Sequence, residues 1–231
     1  MKRERFKAFK NIFEPTTIKA LDWLISHHIF DGLVGPIKLG KEANVMLATK
    51  EEKDRVIKFA VKIYRISACD FKRMSTYLKA DPRFKVPKRR RAIILLWAER
   101  EFKNLARLFK KHVRVPEPIA IKDNVLVMEF IGDEQAAPLL YKSKPSNPEK
   151  FFSELLKQIR LMLNAGLVHG DLSAFNLVNW NEKPVLLDLS HAMPLKARIA
   201  PQLLDRDLTQ INSFFSKLID PKKPKILQIG L

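Results

Sequence analysis

Two short segments in the C-terminal half of the chain each bring an aspartate to the end of an apolar stretch, and they constrain the fold more than any other feature. Asp171 comes shortly after an apolar pair at 167–168, and Asp188 directly follows an apolar triplet at 185–187. Such stretches predict short buried strands, so both carboxylates are expected where a strand emerges from the core. A charge there is costly in free energy unless a cation neutralises it. The pattern therefore predicts that distant parts of the chain converge around a cation.

The spacing of three oxygen-bearing side chains indicates which chemistry this cation serves. Asn176 lies five positions after Asp171, and Asp188 lies seventeen positions after it. Mg²⁺ is commonly bound by one or two carboxylates together with phosphate and water, and phosphoryl transfer from ATP needs a carboxylate that orients the attacking oxygen. The alternative is that these residues only cap turns, but their combined spacing, with His169 just before Asp171, favours catalysis. His169 itself is expected to be a packing and hydrogen-bonding residue.

One lysine stands in an otherwise apolar strand of the N-terminal half. Alternation over residues 59–64 places Lys62 among apolar neighbours, and an ammonium group there needs an anionic partner or an open cleft. A helix is predicted over about 90–110. At about 100° per residue, Glu101 falls inside its apolar face and Glu99 falls just past the edge. Glu101 is therefore the predicted partner of Lys62, and the alternative is an ion pair with a purely structural role.

The C-terminal segments resemble two patterns of the protein kinase superfamily, His-Arg-Asp-x-x-x-x-Asn and Asp-Phe-Gly. Gly170 stands where regulated kinases carry an arginine, and Leu189-Ser190 stands in place of Phe-Gly. Few residues follow Asp188. This predicts a C-terminal half with neither an activation loop nor the full peptide-binding subdomains.

Two further segments occupy the places where a kinase binds ATP. Gly40 and Lys41 lie in the predicted turn between the first two strands, where a kinase has its glycine-rich loop, and Lys41 would reach phosphate there. An apolar strand runs into the hinge position, where main-chain groups of Glu129 and Ile131 would bind the adenine edge. Met128 would border that pocket. Because one glycine alone is a weak signal, a polar hairpin turn and an ordinary edge strand are the alternative interpretations.

Taken together, these motifs resemble the RIO family of atypical serine/threonine protein kinases, in particular its type-1 branch in the short form typical of archaea. The resemblance runs from about residue 33 to residue 215. The segments that carry it are Gly40-Lys-Glu-Ala-Asn-Val45, Ala60-Val-Lys-Ile-Tyr64, Trp97-Ala-Glu-Arg-Glu-Phe-Lys-Asn-Leu105, Val127-Met-Glu-Phe-Ile-Gly132, His169-Gly-Asp-Leu-Ser173 with Asn176, and Asp188-Leu-Ser190.

The resemblance implies an α+β, two-lobed protein-kinase-like fold with a trimmed C-terminal lobe. Residues 1–131 would form the N-lobe, with an N-terminal helix, an antiparallel sheet, a flexible loop and an αC-like helix. Residues 132–231 would form the hinge and a short helical C-lobe. The flexible loop would cover residues 66–91. The candidate autophosphorylation acceptors in it are Ser67, Ser75 and Thr76.

The same resemblance implies roles for the residues singled out above. Asp171 would be the catalytic aspartate, and Asn176 and Asp188 would be ligands of Mg²⁺, with Mn²⁺ as an alternative ion. Lys62, paired with Glu101, would bind the α- and β-phosphates of ATP. The family is associated with small-ribosomal-subunit maturation, serine autophosphorylation, and ATP hydrolysis through a phosphoaspartate, which would form on Asp188. Protein phosphorylation or ATP hydrolysis is then the working reaction.

The positive charge of the chain is concentrated in one stretch. The sequence has 43 Lys and Arg against 25 Asp and Glu, a net charge of +18. From Lys58 to Arg91 there are twelve basic residues and only two acidic ones, Asp70 and Asp81. This concentration predicts an anionic partner, which the resemblance identifies as pre-small-ribosomal-subunit rRNA together with ribosomal proteins. A solvated basic surface of a heat-adapted protein is the alternative.

Composition excludes several other classes of protein. Hydrophobic residues make up 46% of the chain, which excludes wholesale disorder. A single cysteine, Cys69, excludes an intramolecular disulfide, and no apolar run reaches the roughly 18 residues that span a bilayer. The basic N-terminus lacks the apolar stretch of a signal peptide. We therefore expect a cytoplasmic protein without membrane contact, as a monomer or weak dimer.

Two other functions are compatible with parts of this pattern. A small-molecule kinase of the aminoglycoside or choline type shares His-Gly-Asp-x-x-x-x-Asn, but normally has a much longer helical region after the second aspartate. A non-catalytic ribosome assembly factor would use nucleotide only as a conformational ligand. The intact set of Lys62, Asp171, Asn176 and Asp188 argues against the second.

Overall fold

The computed structural model describes residues 13–67 and 69–219. The helices are α1 (Pro15–Ser26), α2 (Phe71–Ala80), α3 (Arg90–Phe109), α4 (Pro148–Asn164) and α5 (Ala200–Phe215). The strands are β1 (Gly32–Leu39), β2 (Ala43–Glu52), β3 (Arg55–Tyr64), β4 (Pro118–Lys122), β5 (Val125–Glu129), β6 (Leu167–Val168), β7 (Leu177–Trp180), β8 (Lys183–Leu186) and β9 (Met193–Pro194). The outer ends of the two predicted lobes, residues 1–12 and 220–231, lie outside the described residues, and the division at residue 131 stays a prediction.

A five-stranded antiparallel sheet forms the N-terminal half, in the order β1-β2-β3-β5-β4. The central strand, β3, pairs with β2 on one side and β5 on the other, so that Lys62 lies between Val45 and Leu126. Helix α1 covers one face of the sheet through its fully buried residues Leu21 and Leu24. Strand β3, which carries Lys62, is therefore fixed by a neighbouring strand on each side.

Helix α3 connects the sheet to the C-terminal half. Its apolar face includes Ile94 and Trp97, both fully buried. The same face buries three polar side chains, Arg100, Glu101 and Asn104. Because buried polar groups are costly unless they are bonded, these three residues are expected to have specific partners.

Helix α2 differs from the sequence prediction, which treated residues 66–91 as one flexible loop. Asp70 caps the helix by accepting the Arg73 N–H at 2.9 Å. Met74 and Leu78, four positions apart, are buried in one cluster with Trp97 of α3. The charged residues of α2 lie on its exposed side. Because they dominate the sequence of this segment, its short apolar face was not predicted.

The C-terminal half is mainly helical. Helices α4 and α5 pack around the short strands, and Phe151, Leu155 and Phe215 lie at the centre of their shared core. Between Asp188 and α5 the chain forms only the 3₁₀ helix Leu189–His191 and β9. The described residues therefore contain no long activation loop in this place, in agreement with the predicted trimmed lobe. No helix among them is long and apolar enough to cross a membrane.

Candidate active site

Lys62 of β3 is buried between two carboxylates, that of Glu101 on α3 and that of Asp188 in the C-terminal half. Its Nζ lies 2.9 Å from Glu101 Oε1 and 2.9 Å from Asp188 Oδ1. Burial alone would lower the pKa of Lys62, but the charges of Asp188 and Glu101 outweigh burial and raise it above the ordinary value. The lysine is therefore charged at every physiological pH.

Glu101 of α3 is held by a second donor, the hydroxyl of Tyr64 at the end of β3. Burial raises the pKa of Glu101, while Lys62 acts in the opposite direction. Glu99, two positions earlier, is on the surface and pairs with Lys103 at 2.6 Å. Helical geometry thus places Glu101 against Lys62, as the sequence predicts, and leaves Glu99 on the surface.

Asp188 stands at the point where β8 ends and the 3₁₀ helix begins. Its main chain is left-handed, with φ 58° and ψ 67°, and its side chain is 39% exposed. Its Oδ1 accepts the Ser190 hydroxyl at 2.7 Å as well as Lys62. The surrounding protein removes water and would raise the pKa of Asp188, but Lys62 and His191 outweigh this effect and hold the pKa well below its usual range.

Asp171 and Asn176 form a hydrogen-bonded pair next to the Asp188 turn. Asn176 Nδ2 donates to Asp171 Oδ2 at 2.9 Å and to Asp171 O at 2.8 Å. The main-chain O of Asn176 accepts the Leu187 N–H at 2.9 Å, and His169 Nε2 lies 3.0 Å from Leu187 O. These bonds place the two aspartate-bearing segments side by side and give His169 the structural role that the sequence predicts.

The predicted nucleotide contacts on the N-terminal half lie at the ends of strands. Lys41 is exposed in the turn between β1 and β2, next to Gly40, whose N–H is 3.3 Å from Asn44 Oδ1. Glu129 ends β5 and donates its main-chain N–H to Glu117 O at 2.8 Å. Met128 is half-buried beside it.

Comparison with known proteins decides the family. A family model described as the RIO domain matches residues 44–226. The chain belongs to the RIO domain family. A RIO-type serine/threonine-protein kinase Rio1 from Haloferax volcanii is 38% identical over 216 residues, covering 93% of this chain and 73% of the relative. The predicted family and enzyme class, a serine/threonine protein kinase of the RIO type, are confirmed.

Other relatives are longer than this chain. The serine/threonine-protein kinase RIO3 of Caenorhabditis elegans is 35% identical over 241 residues, covering 99% of this chain but 45% of its own length. Among solved structures, a Rio2 kinase–ADP/Mg²⁺–phosphoaspartate complex from Chaetomium thermophilum superposes with a TM-score of 0.71 at 21% identity, over 91% of this chain and 63% of that one. This likeness confirms the predicted protein-kinase-like fold.

The sequence reading of this RIO domain missed the residue that holds the Asp171 loop. Asp207 of α5 is buried and accepts two main-chain N–H groups, from Gly170 at 2.7 Å and Leu172 at 2.9 Å. Arg206 donates to the main-chain O of Gly170. Asp207 follows the buried Leu203 at helical spacing, so the criterion that identified Glu101 would have found it.

The backbone geometry at position 170 explains why this chain has glycine where regulated kinases have an arginine. Its φ is +78°, and a Cβ atom there would lie 2.6 Å from the main-chain O of His191. A side chain at this position therefore needs both a disfavoured backbone and a shift of the 3₁₀ helix. The glycine lets the loop of Asp171 approach the segment that follows Asp188.

The donor set of the RIO site fits Mg²⁺ bound together with phosphate. The described residues contain no group of three His, Cys, Asp or Glu side chains that could hold a metal ion by themselves. Asn176 uses its Nδ2 on Asp171, which leaves its amide oxygen for another partner, and the partly exposed Asp188 supplies a carboxylate. Mg²⁺ prefers such oxygen ligands and usually completes its shell with phosphate and water.

Proposed function

We propose that this chain is an ATP- and Mg²⁺-dependent serine/threonine protein kinase that phosphorylates itself, hydrolyses ATP, and acts in small-ribosomal-subunit maturation. The observation that carries the proposal is that Lys62 donates to Asp188 directly beside the hydrogen-bonded pair of Asp171 and Asn176. A lysine, two aspartates and an asparagine are the groups that phosphoryl transfer from ATP needs.

ATP would bind between the sheet and the C-terminal half. The N–H of Glu129 and the O of Ile131 are bonded within the protein, to Glu117 and Ala137. The adenine edge would therefore bind the main-chain O of Glu129 and the N–H of Ile131, with Met128 at the border of the pocket. Lys41 would contact the phosphates from the turn between β1 and β2.

Each charged residue has a separate task in the proposed reaction. Lys62 binds the α- and β-phosphates, and Asn176 and Asp188 hold Mg²⁺, which neutralises phosphate charge when it is bound. Asp171, fixed by Asn176, accepts the proton of the attacking hydroxyl group. The serine or threonine oxygen attacks the γ-phosphorus, the bond to the β–γ bridging oxygen breaks, and ADP leaves.

ATP hydrolysis would use Asp188 as the acceptor. A carboxylate oxygen of Asp188 attacks the γ-phosphorus and ADP leaves; water then attacks the phosphorus of the acyl phosphate, its proton passes to Asp171, and phosphate leaves. Support comes from the Rio2 relative, whose structure is described as a phosphoaspartate complex. The exposed edge of Asp188 gives the γ-phosphate access to this carboxylate.

Small-subunit rRNA and proteins are the proposed partners, in the cytoplasm and with the chain as a monomer or weak dimer. Not all of the stretch from Lys58 to Arg91 is available, because Lys58 pairs with Glu134 at 3.0 Å, Lys62 with Asp188, and Arg83 with Asp81. The exposed basic residues that remain are Arg65, Lys72, Arg73, Lys79, Lys85, Lys88, Arg89, Arg90 and Arg91. Such a surface matches the charge of RNA.

The test follows the γ-phosphate of labelled ATP, with and without small-subunit particles. Acid-stable phosphoserine and hydroxylamine-labile acyl phosphate are separated after the reaction. We expect both in the wild type, and a loss of turnover by about 100-fold or more in Asp171→Ala with ADP binding retained. Asp22→Ala, an exposed aspartate on α1, is the control. Turnover near wild type in Asp171→Ala would remove Asp171 from the catalytic role, and no transfer to any acceptor in the wild type would leave only a nucleotide-binding assembly factor.

A further inference from the structure

The turn that follows Asp188 is attached to helix α3 by an arginine that the reaction itself does not use. Arg100 is fully buried. Its Nη1 donates to the main-chain O of Ser190, and its Nη2 donates to the main-chain O of Ala192 at 2.8 Å. The planar guanidinium fork thus binds two carbonyl oxygens of one turn, which a lysine could not do with the same geometry.

A second donor on α3 continues this attachment. Asn104, one helical turn after Arg100, is also fully buried. Its Nδ2 donates to the main-chain O of Leu189 at 2.9 Å and to that of Ala192 at 3.2 Å. Three carbonyl oxygens of residues 189–192 are therefore bonded by side chains of α3.

Arg100 has a buried counter-ion at the end of α2. Its Nε donates to Asp81 Oδ2 at 2.9 Å, and both side chains are fully buried. Arg83 also binds Asp81, through Nε at 2.9 Å and Nη2 at 2.6 Å. The guanidinium of Arg100 is therefore neutralised without any contribution from Asp188.

The conformation of Asp188 explains why such an attachment is needed. A left-handed main chain is uncommon at a residue other than glycine, although aspartate adopts it more readily than most residues, and fixed segments on both sides help to maintain it. Before Asp188 the chain is fixed by the pairing of β8 with β7. After it, the contacts from α3 fix the carbonyl groups of residues 189–192, and the ring of His191 packs edge-on against Trp97 of the same helix at 5.3 Å.

We propose that Arg100 and Asn104 are positioning residues that hold the Asp188 carboxylate where Mg²⁺ and phosphate bind, with Asp81 as the counter-ion of Arg100. This inference rests on the proposed function, in which Asp188 is a metal ligand. Residues that orient a metal ligand typically affect metal affinity or activity by about 10- to 100-fold when they are changed.

The test compares three variants on α3. Arg100→Met removes both carbonyl contacts but leaves Asp81 paired with Arg83, so no buried carboxylate loses its last cation. Asn104→Leu removes the second donor at nearly constant volume. Arg107→Met makes the same chemical change on the exposed side of the helix and is the control.

The first measurement uses the protein without nucleotide or metal. We expect hydrogen exchange of the amides in residues 188–193 to be faster by about tenfold or more in Arg100→Met and Asn104→Leu, with exchange in β3 and α4 unchanged. The second measures ADP affinity with and without Mg²⁺. We expect the gain in affinity that Mg²⁺ gives the wild type to fall by about tenfold in both variants, with metal-free ADP affinity kept within about threefold.

Different results would overturn the proposal. Unchanged exchange at 188–193, or an unchanged effect of Mg²⁺ on ADP affinity, would show that Arg100 and Asn104 do not position Asp188. If Arg100→Met does not fold, Asn104→Leu and Arg100→Lys carry the test, and the lysine variant should lie between the wild type and Asn104→Leu. Failure of the proposed function is seen separately, as wild-type turnover and wild-type Mg²⁺ dependence in Asp188→Ala.

Discussion

Lys62 Nζ lies 2.9 Å from Asp188 Oδ1, although the two residues are 126 positions apart in the chain. The contact joins the central strand of the sheet to the turn of the C-terminal half that carries the proposed metal ligand. A phosphate group that binds Lys62 would take the place of Asp188 as its second anionic partner, and Asp188 would turn to Mg²⁺. In the proposed mechanism, nucleotide entry would therefore be an exchange of partners at Lys62.

Replacing Lys62 tests this exchange together with the buried charge of Glu101. In Lys62→Met, Glu101 loses the cation that contacts it, and its carboxylate is left buried with the Tyr64 hydroxyl. We expect the free energy of unfolding to fall by about 3 kcal/mol at pH 8. Because the folded-state pKa of Glu101 is raised and is raised further without Lys62, protonation relieves the loss as the pH falls, so the defect should be smaller at pH 5.

ADP affinity shows whether the residue at position 62 binds nucleotide or has only a structural role. We expect a decrease of about tenfold or more in Lys62→Met, because a charged hydrogen bond to phosphate is lost. Lys58→Met, on the same strand, is the control, since Lys58 is partly exposed and pairs with Glu134. An unchanged ADP affinity with the full stability loss would make Lys62 a structural ion-pair residue only.

Tyr64 is predicted to stabilise Glu101 without contacting nucleotide. Tyr64→Phe removes the hydroxyl that donates to Glu101, so we expect a loss of about 1.5–3 kcal/mol in unfolding free energy at pH 7. The loss should shrink at pH 5, since the missing hydroxyl raises the pKa of Glu101 and favours its neutral form. Urea denaturation at the two pH values measures this, with the exposed Tyr141→Phe as control. An equal loss at both pH values would mean that the hydroxyl does not act through the charge of Glu101.

Asp207 is predicted to set the rate of turnover without touching ATP. In Asp207→Asn one oxygen becomes an NH₂ group, which cannot accept the N–H of Gly170 or Leu172, so the loop of Asp171 shifts. We expect kcat to fall by about tenfold or more while the KM for ATP changes little. Asp205→Asn, exposed on the same helix, should retain the wild-type rate. A wild-type kcat in Asp207→Asn would contradict the positioning role.

The exposed face of α2 is predicted to contact RNA phosphates. Lys72 and Lys79 lie seven positions apart on it, and both are exposed. Changing both to glutamine should weaken binding to a small-subunit rRNA fragment and lower the salt slope of the binding constant by about 2. The matched control changes Lys150 and Lys157, exposed and equally spaced on α4. An equal effect in the control, or a wild-type slope in the α2 variant, would remove α2 from the RNA surface.

Local patterns in the sequence predicted the strand that carries Lys62, helix α3 and the position of Glu101. These features follow from short-range periodicity: alternation around Lys62 and a 3.6-residue repeat around Glu101 are visible without knowledge of the fold. The bounds of α3 agree with the predicted range of about 90–110 to within one residue. Motif spacing then predicted which side chains meet across the cleft.

The residues that bind the main chain of the site segments were not predictable in the same way. Arg100 and Asn104 bind main-chain carbonyl groups of residues 189–192, and a carbonyl group leaves no trace in a sequence. Asp207 differs from them, because its burial follows from its helical spacing after Leu203, but the main-chain N–H groups that it accepts could not be predicted. Helix α2 was missed because its apolar face is short, with Met74 and Leu78 buried against α3 and Phe71 and Tyr77 partly buried beside them.

The attachment of residues 189–192 through their carbonyl oxygens has a consequence for how this region can vary between relatives. Every amino acid offers the same oxygen, so exchanging the side chains of this turn does not by itself remove an acceptor from α3. The donors have no such freedom, because only the guanidinium at position 100 donates to both oxygens with this geometry. Substitutions should therefore be tolerated more readily in residues 189–192 than at positions 100 and 104 of α3, whose side chains bind this turn.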